Sequence, residues 1–263
     1  MKPNLVCILP DIHYPHENKE ALAIARRVIA KLKPTRTVLL GDMLDAGSFS
    51  TFAAKSIKEV RQANFLEEEI KPATKLLDFL DNHTREKVVF VEGNHEYRVE
   101  RWAIEHGAGS QAIYEAISPQ ALLSKNRDKK RFKYIPYINT GETGFSYYDI
   151  TPNLIAVHGW TAGVNAARAH RMKAQSKSVV FGHTHRMQSD AARDPFSKER
   201  RVAWSVGCLS NLQPIYLHQP GDWVLGMGLI YISRTNPRDW TEYTLKIQSG
   251  RTILPDGTEI YGD

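Results

Sequence analysis

Aspartate, asparagine and histidine recur in this chain in five short blocks: Asp11-Ile12-His13, Gly41-Asp42, Gly93-Asn94-His95-Glu96, His158-Gly159 and Gly182-His183-Thr184-His185. Singly each is ordinary, since Gly-Asn closes turns and a loop histidine commonly serves only a hydrogen bond. Together they supply carboxylate, amide and imidazole donors. Mixed nitrogen and oxygen donors suit zinc, iron and manganese, whereas an all-oxygen set points to magnesium or calcium and thiolates to structural zinc. A set of this size can serve two neighbouring divalent cations. Such a pair needs a shared carboxylate, and Asp42 is the candidate.

Each block follows an apolar run. Leu5-Val6-Cys7-Ile8-Leu9 precedes the first and reads as a buried parallel strand, covered on both faces. Asp11 and His13, two apart, project to one side of extended chain, off the strand end where open α/β sheets place their ligands. Residues 37–40, 88–91, 154–157 and 178–181 lead in the same way into the other four blocks. Helical spacing of Leu22, Ala25, Ile29 and Leu32 runs up to Pro34. Helical periodicity returns at about 56–81, with a kink or break at Pro72, at 97–125 with an interruption at 107–109, and at 162–174. Residues 132–138 and 144–149 read as strands. Residues 201–209, 227–233 and 243–247 lack intervening helices and read as mostly antiparallel strands of a second sheet. The class expected is α/β, one domain over 1–263 with helical insertions around 46–82 and 97–130. No repeat or low-complexity segment is evident.

Bulk properties bound the partners. The 263 residues are 42% hydrophobic and 24% charged, which are globular values, with no apolar run long enough to span a bilayer. The start, Met1 to Leu5, lacks a signal-peptide pattern, so a soluble cytoplasmic protein is expected, with no membrane partner. Cys7 and Cys208 sit in apolar runs without CxxC spacing and read as buried free thiols. A net charge of +6 leans toward polyanionic partners.

The ordered set of blocks resembles the calcineurin-like metallophosphoesterases, whose motifs are D-x-H, G-D, G-N-H-E/D, a lone His and G-H-x-H. All five fall in that order between about residues 5 and 210. The resemblance implies a four-layer α/β/β/α fold, two packed mixed sheets flanked by helices. It implies that one metal takes Asp11, His13, Asp42 and His185, and the other Asn94, His158, His183 and the shared Asp42. Manganese is the first expectation for both ions, with zinc, iron or nickel as alternatives. Two metals about 3.5–4 Å apart hold a bridging hydroxide, polarise a phosphoryl oxygen and template in-line attack. The resemblance makes His95 a non-ligand beside the metals, which as general acid would protonate the leaving-group oxygen.

Departures from the family narrow the substrate. Protein Ser/Thr phosphatases of this superfamily carry phosphate-gripping arginines where this chain has Ala46 and Glu92, and Tyr14 replaces the glycine that commonly follows D-x-H. Asp45 either orients a neighbouring group or caps a helix, and Glu96 is expected to orient or charge a neighbour without ligating metal. Candidate substrate contacts are Asn94 within the third block, Arg98 and Arg101 after it, and Arg168 with Arg171 after the fourth; a solvated helix face is the alternative for each arginine. Trp160 is either a stacking surface or core. The basic run Lys125 to Lys133 is either a solvated loop or a phosphate-backbone contact. The function expected is hydrolysis of a nucleic-acid or nucleotide phosphodiester. The alternative is a phosphomonoesterase acting on protein, nucleotide or metabolite. A binding scaffold that keeps only the fold is disfavoured, because every ligand position and His95 are filled.

Overall fold

The computed structural model describes residues 4–50, 64–106, 110–137, 146–193, 200–213 and 221–262. Strands and helices alternate in the first half: β1 (Asn4–Leu9), α1 (Lys19–Leu32), β2 (Arg36–Leu39), α2 (Lys71–His83), β3 (Lys87–Val91), α3 (Asn94–His106), α4 (Gln111–Ile117), α5 (Pro119–Ser124) and β4 (Phe132–Ile135). The second half holds β5 (Tyr148–Thr151), β6 (Leu154–Val157), α6 (Ala166–Lys173), β7 (Ser178–Phe181), β8 (Met187–Arg193), β9 (Arg200–Val206), β10 (Gly226–Ile232), β11 (Trp240–Lys246), β12 (Arg251–Ile253) and β13 (Glu259–Tyr261).

Two large mixed sheets result, one ordered β11-β10-β1-β2-β3-β4 and one ordered β5-β6-β7-β9-β8, with β12 and β13 as a separate pair. The period-2 side-chain alternation of each strand explains their stacking. From β1, Val6 and Ile8 enter the layer between the sheets, where they meet Val38, Val89, Ala156, Val180 and Trp204. Leu5, Cys7 and Leu9 face the other way, onto Ala25, Ile29 and Leu77 of the outer helices. A third cluster, Val157, Val179 and Phe181 against Ala166 and Ala167 of α6, covers the second sheet's outer face. The layers are therefore α/β/β/α. Cys7 and Cys208 are buried and unpaired.

Local sequence accounts for the helix ends. Asn18 caps α1 by accepting from the Ala21 N–H at 2.9 Å, and Lys33 leaves the helix in the left-handed region just before Pro34. Pro72 stands in the first turn of α2, preceded by a π-helical turn over Phe65–Ile70. The expected kink or break is thus a change of helical pitch, made where a proline has no N–H to contribute. The helical reading of 97–125 resolves into three helices starting at Asn94, and the interruption at 107–109 lies outside the described residues, as do 56–63, Ile138 and 144–145. The fourth helix begins later than expected, at Ala166.

One topological expectation is overturned. Of the three late strands assigned to a second sheet, only β9 joins it, parallel to β7 and antiparallel to β8. β10 and β11 extend the first sheet, with β10 antiparallel to β1 from Asn4↔Ile232 to Ile8↔Gly228. β10 is buried on both faces, and β1, paired on its other side to β2, had an open edge that satisfies it.

Candidate metal centre

All five polar blocks emerge at one edge. β1, β2, β3, β6 and β7 run parallel within their sheets, so their C-terminal ends deliver Asp11 and His13, Asp42, Asn94 and His95, His158, and His183 and His185 together. The turns that do this are unusual. Asp11, His13, Asp42, His183 and His185 take φ of 27°, 57°, 46°, 66° and 56°, in the left-handed region that costs a non-glycine residue about 1–3 kcal/mol. Gly93 permits the tightest approach, because a Cβ there would meet Asp42 Oδ1 at 2.2 Å.

The donors converge in two groups. In the first, His13 Nε2 lies 3.1 Å from His185 Nε2, and His185 Nε2 lies 3.5 Å from Asp11 Oδ1. In the second, His158 Nε2 is 2.8 Å from Asn94 Oδ1, 3.2 Å from His183 Nδ1 and 3.3 Å from Asp42 Oδ2. Asp42 Oδ2 also stands 3.7 Å from His13 Nε2 and 3.8 Å from His95 Nε2, so it reaches both groups and His95. Asp11 with His13 and His185, His13 with Asp42 and His95, and Asp42 with His158 and His183 each place ligand atoms close enough to hold an ion.

Electrostatics and hydrogen bonding fit a cation pair. Asp11 Oδ2 and His185 Nδ1 are buried without a hydrogen-bond partner, a state that costs each group about 1–3 kcal/mol. Burial opposes ionisation of Asp42, yet His158, His95 and His13 hold its carboxyl well below the usual range. Burial likewise works against a charged His158, but Asp42 outweighs it and lifts the imidazole to about 9; for His185 the neighbouring Asp11 carboxylate, and then Cys208, do the same, to about 10. The pocket therefore draws positive charge, which divalent ions would supply in place of those protons. Asp11, His13, Asp42 and His185 could hold one, and Asn94, His158, His183 and Asp42 the other.

Neighbouring groups fix these side chains. His158 Nδ1–H donates to Leu40 O at 2.7 Å, turning Nε2 toward the cluster. His13 Nδ1 bonds Asp45 Oδ1 at 3.1 Å, and the short helix that follows, Gly47–Phe49, has no side-chain cap, so Asp45 orients rather than caps. Glu96 is fully buried and its carboxylate accepts the N–H groups of Asp42, Leu44 and Gly93 at 3.0, 2.8 and 3.0 Å. It binds two of the blocks to each other.

His95 Nδ1 donates to Asp45 O at 2.7 Å. Arg98 reaches back along its edge, with Nη2 2.9 Å from Nε2 and Nη1 3.0 Å from Nδ1. Burial pushes His95 down, Asp42 pulls it up, and His13 and Arg98 push it down again, to about 3.

Other expected contacts are not gathered here. Arg101 is exposed and faces Glu105 at 3.8 Å, and Arg168 is exposed on α6; among the described residues neither bonds to the cluster. Arg171 pairs with Asp190. In the basic run, Arg127 binds Asp78 at 2.8 Å and Asp81, and Arg131 donates to the carbonyls of Asp81 and Thr84, so these two tie the segment to α2 while Lys125, Lys129, Lys130 and Lys133 stay exposed. Trp160 stacks on His170 at 5.3 Å. Two residues near the centre escaped the sequence reading. Arg186 directly follows the last block, a position that could have flagged it, whereas Trp223, packed on His185, lies in a stretch with no periodic signal.

A model of the calcineurin-like phosphoesterase family matches residues 5–187. The Gene 54 protein of Mycobacterium phage D29 is 25% identical over 243 residues, covering 86% of this chain and 88% of its own length. The Gene 54 protein of Mycobacterium phage L5 is 24% identical over 221 residues, covering 79% and 80%. Among solved structures, Chaetomium thermophilum Vps29 complexed with a cyclic peptide superposes with a TM-score of 0.50 at 11% identity, over 98% of this chain and 93% of its own, a likeness of fold.

Proposed function

The chain belongs to the calcineurin-like phosphoesterase family, which makes it a metal-dependent phosphoester hydrolase, and from that premise we propose that it hydrolyses a phosphodiester of a nucleic acid or nucleotide. The observation that carries the diester is the supply of fixed cations at the reacting edge. A phosphomonoester dianion calls for several; among the described residues only one arginine, Arg98, contacts the cluster. Of the two positions where protein phosphatases carry gripping arginines, Ala46 is apolar. The other holds Glu92, which is buried and turned inward, accepting the Tyr137 N–H at 2.5 Å. One guanidinium matches the single charge of a diester, and the net charge of +6 favours a polyanion. Buried, unpaired Cys7 and Cys208 support a reducing, cytoplasmic setting.

When bound, two divalent ions supply Lewis acidity and lower the pKa of water toward neutrality, manganese being the ion we favour. The chain's own groups do the rest. Asp42 spans the two ligand groups, and Glu96 and Asp45 hold Asp42 and His13 in place. Arg98 is the phosphoryl-oxygen grip. Its present position on Nε2 of His95 sets the order of events: a guanidinium drawn onto a substrate oxygen frees Nε2 to face the leaving group. His95, neutral with its one proton on Nδ1 and held by Asp45 O, then takes a proton from solvent at the freed Nε2 and passes it to the departing oxygen.

The test is a manganese-supplemented comparison of 4-nitrophenyl phosphate with bis(4-nitrophenyl) phosphate, run beside single- and double-stranded DNA and RNA. Diester turnover above monoester turnover is expected; turnover of the monoester alone refutes it. On nucleic acid, log rate at subsaturating substrate should fall with log salt.

A further inference from the structure

Trp223 stands on the rim of the centre and takes no part in the reaction described above. Its ring lies 4.0 Å from that of His185 at an interplanar angle of 63°, and it is half-buried, keeping part of its surface in solvent. The position is built. Val224 N–H donates to His185 O and Cys208 N–H to Val224 O, each at 2.9 Å, so the segment carrying Trp223 is pinned to the last ligand block on one side and to Cys208 on the other. Gly207, at φ +84°, makes room for this, since a Cβ there would stand 2.4 Å from Val224 O. Arg186 braces the outside: Nη1 reaches Asp222 Oδ2 at 3.2 Å, and Nη2 donates to the carbonyls of Ala162 and Gly163 at 2.6 and 2.9 Å.

The rings of the centre form a row. Trp223 touches His185, His185 faces His13 at 4.9 Å, and His13 faces His95 at 4.5 Å. His95, at one end, is the side from which the leaving group departs. Trp223, at the other and three ring contacts away from His95, stands clear of that departure path, which leaves it to the group that stays on phosphorus. An indole braced in place, part-exposed at that end, offers a flat apolar face to a planar ring, and such stacking accepts any base.

We propose that Trp223 is the stacking platform for a nucleobase on the retained side of the scissile phosphodiester, which makes nucleoside-bearing diesters the preferred substrates. This rests on the diesterase function proposed above. Were Trp223 only a shield over His185, its removal would disturb all substrates alike and loosen the metal.

The experiment compares two diesters that share the 4-nitrophenolate leaving group: the 4-nitrophenyl ester of thymidine 5′-monophosphate, which retains a base, and methyl 4-nitrophenyl phosphate, which retains none. Trp223→Ala in the manganese-loaded protein should raise KM for the thymidine ester about 10-fold, with kcat and the methyl ester's KM little changed. Trp223→Phe should recover most of the loss, and metal content by mass spectrometry should match wild type. Equal KM changes on both esters, or a loss of metal in Trp223→Ala, would overturn the platform while leaving diesterase activity standing. Wild-type turnover of 4-nitrophenyl phosphate with none of either diester would remove the diesterase function itself, and the platform with it.

Discussion

Replacing Glu96 with glutamine removes an acceptor from a fully buried carboxylate that serves three backbone N–H groups. One oxygen takes the N–H groups of Asp42 and Gly93, and the other takes that of Leu44. Glutamine has a single acceptor. Its best orientation keeps the oxygen on Asp42 and Gly93 and turns the NH2 onto the Leu44 N–H, donor against donor at 2.8 Å. Hydrogen bonds to a charged group contribute about 1.5–3 kcal/mol each, and a buried donor left unmade costs about 1–3 kcal/mol. Against this, burial and the nearby Asp42 raise Glu96 to about 7, so the neutral amide recovers part of the cost of an interior charge. The balance is a loss of about 2–3 kcal/mol, or about 4–12 °C in Tm for a chain of this size. Function should fall further than stability, because two of the three N–H groups belong to the blocks carrying Asp42 and Asn94, and a displacement of about 1 Å can cost about 100-fold in rate. Thermal melts, metal content and turnover of bis(4-nitrophenyl) phosphate would be measured on the same preparation. A Glu96→Gln protein that melts within about 1 °C of wild type and keeps its metal would refute the bracing role.

Two further outcomes concern His95 and Glu92. His95→Ala should keep its metal but lose about 10²- to 10⁴-fold in turnover of esters with poor leaving groups, and much less with 4-nitrophenolate; loss of metal in step with activity would make His95 a ligand. Burial, and then Glu100, raise Glu92 from its ordinary 4.5 to about 9 against the opposing Tyr137 N–H. A carboxyl with a raised folded-state pKa stabilises at low pH, and that contribution is lost as pH rises toward about 9. Wild-type Tm should therefore decline between neutral pH and about 9, and Glu92→Gln should flatten the decline; parallel curves would contradict this.

The sequence exposes the centre better than its surroundings, for physical reasons. Apolar strands that stop at Gly and a polar pair mark where chemistry can sit, so all seven donors and His95 can be named from their blocks. A period of two tells which face a side chain takes but not which edge a strand joins. That is why the pattern of β10, apolar on both faces, does not reveal that it and β11 extend the first sheet. Helical spacing puts Arg98 and Arg101 on one face, yet only Arg98 is a single turn from His95 and close enough to fold back on it. In the basic run, Arg127 and Arg131 are committed to acceptors on and just beyond α2, which no charge count reveals. Trp223 carries no signal because its place comes from backbone bonds to His185 and Cys208 across long stretches of sequence.

Sharing of Asp42 by two metal positions fixes a metal stoichiometry that can be counted. Protein loaded with Mn²⁺, desalted and analysed by mass spectrometry should carry about two ions per wild-type chain and about one in Asp11→Ala, which removes the acceptor of the His183 N–H but keeps all four donors of the other group, Asn94, His158, His183 and Asp42. Asp42→Ala should retain neither. An Asp42→Ala protein that folds as wild type does and holds the full wild-type complement would contradict the shared position.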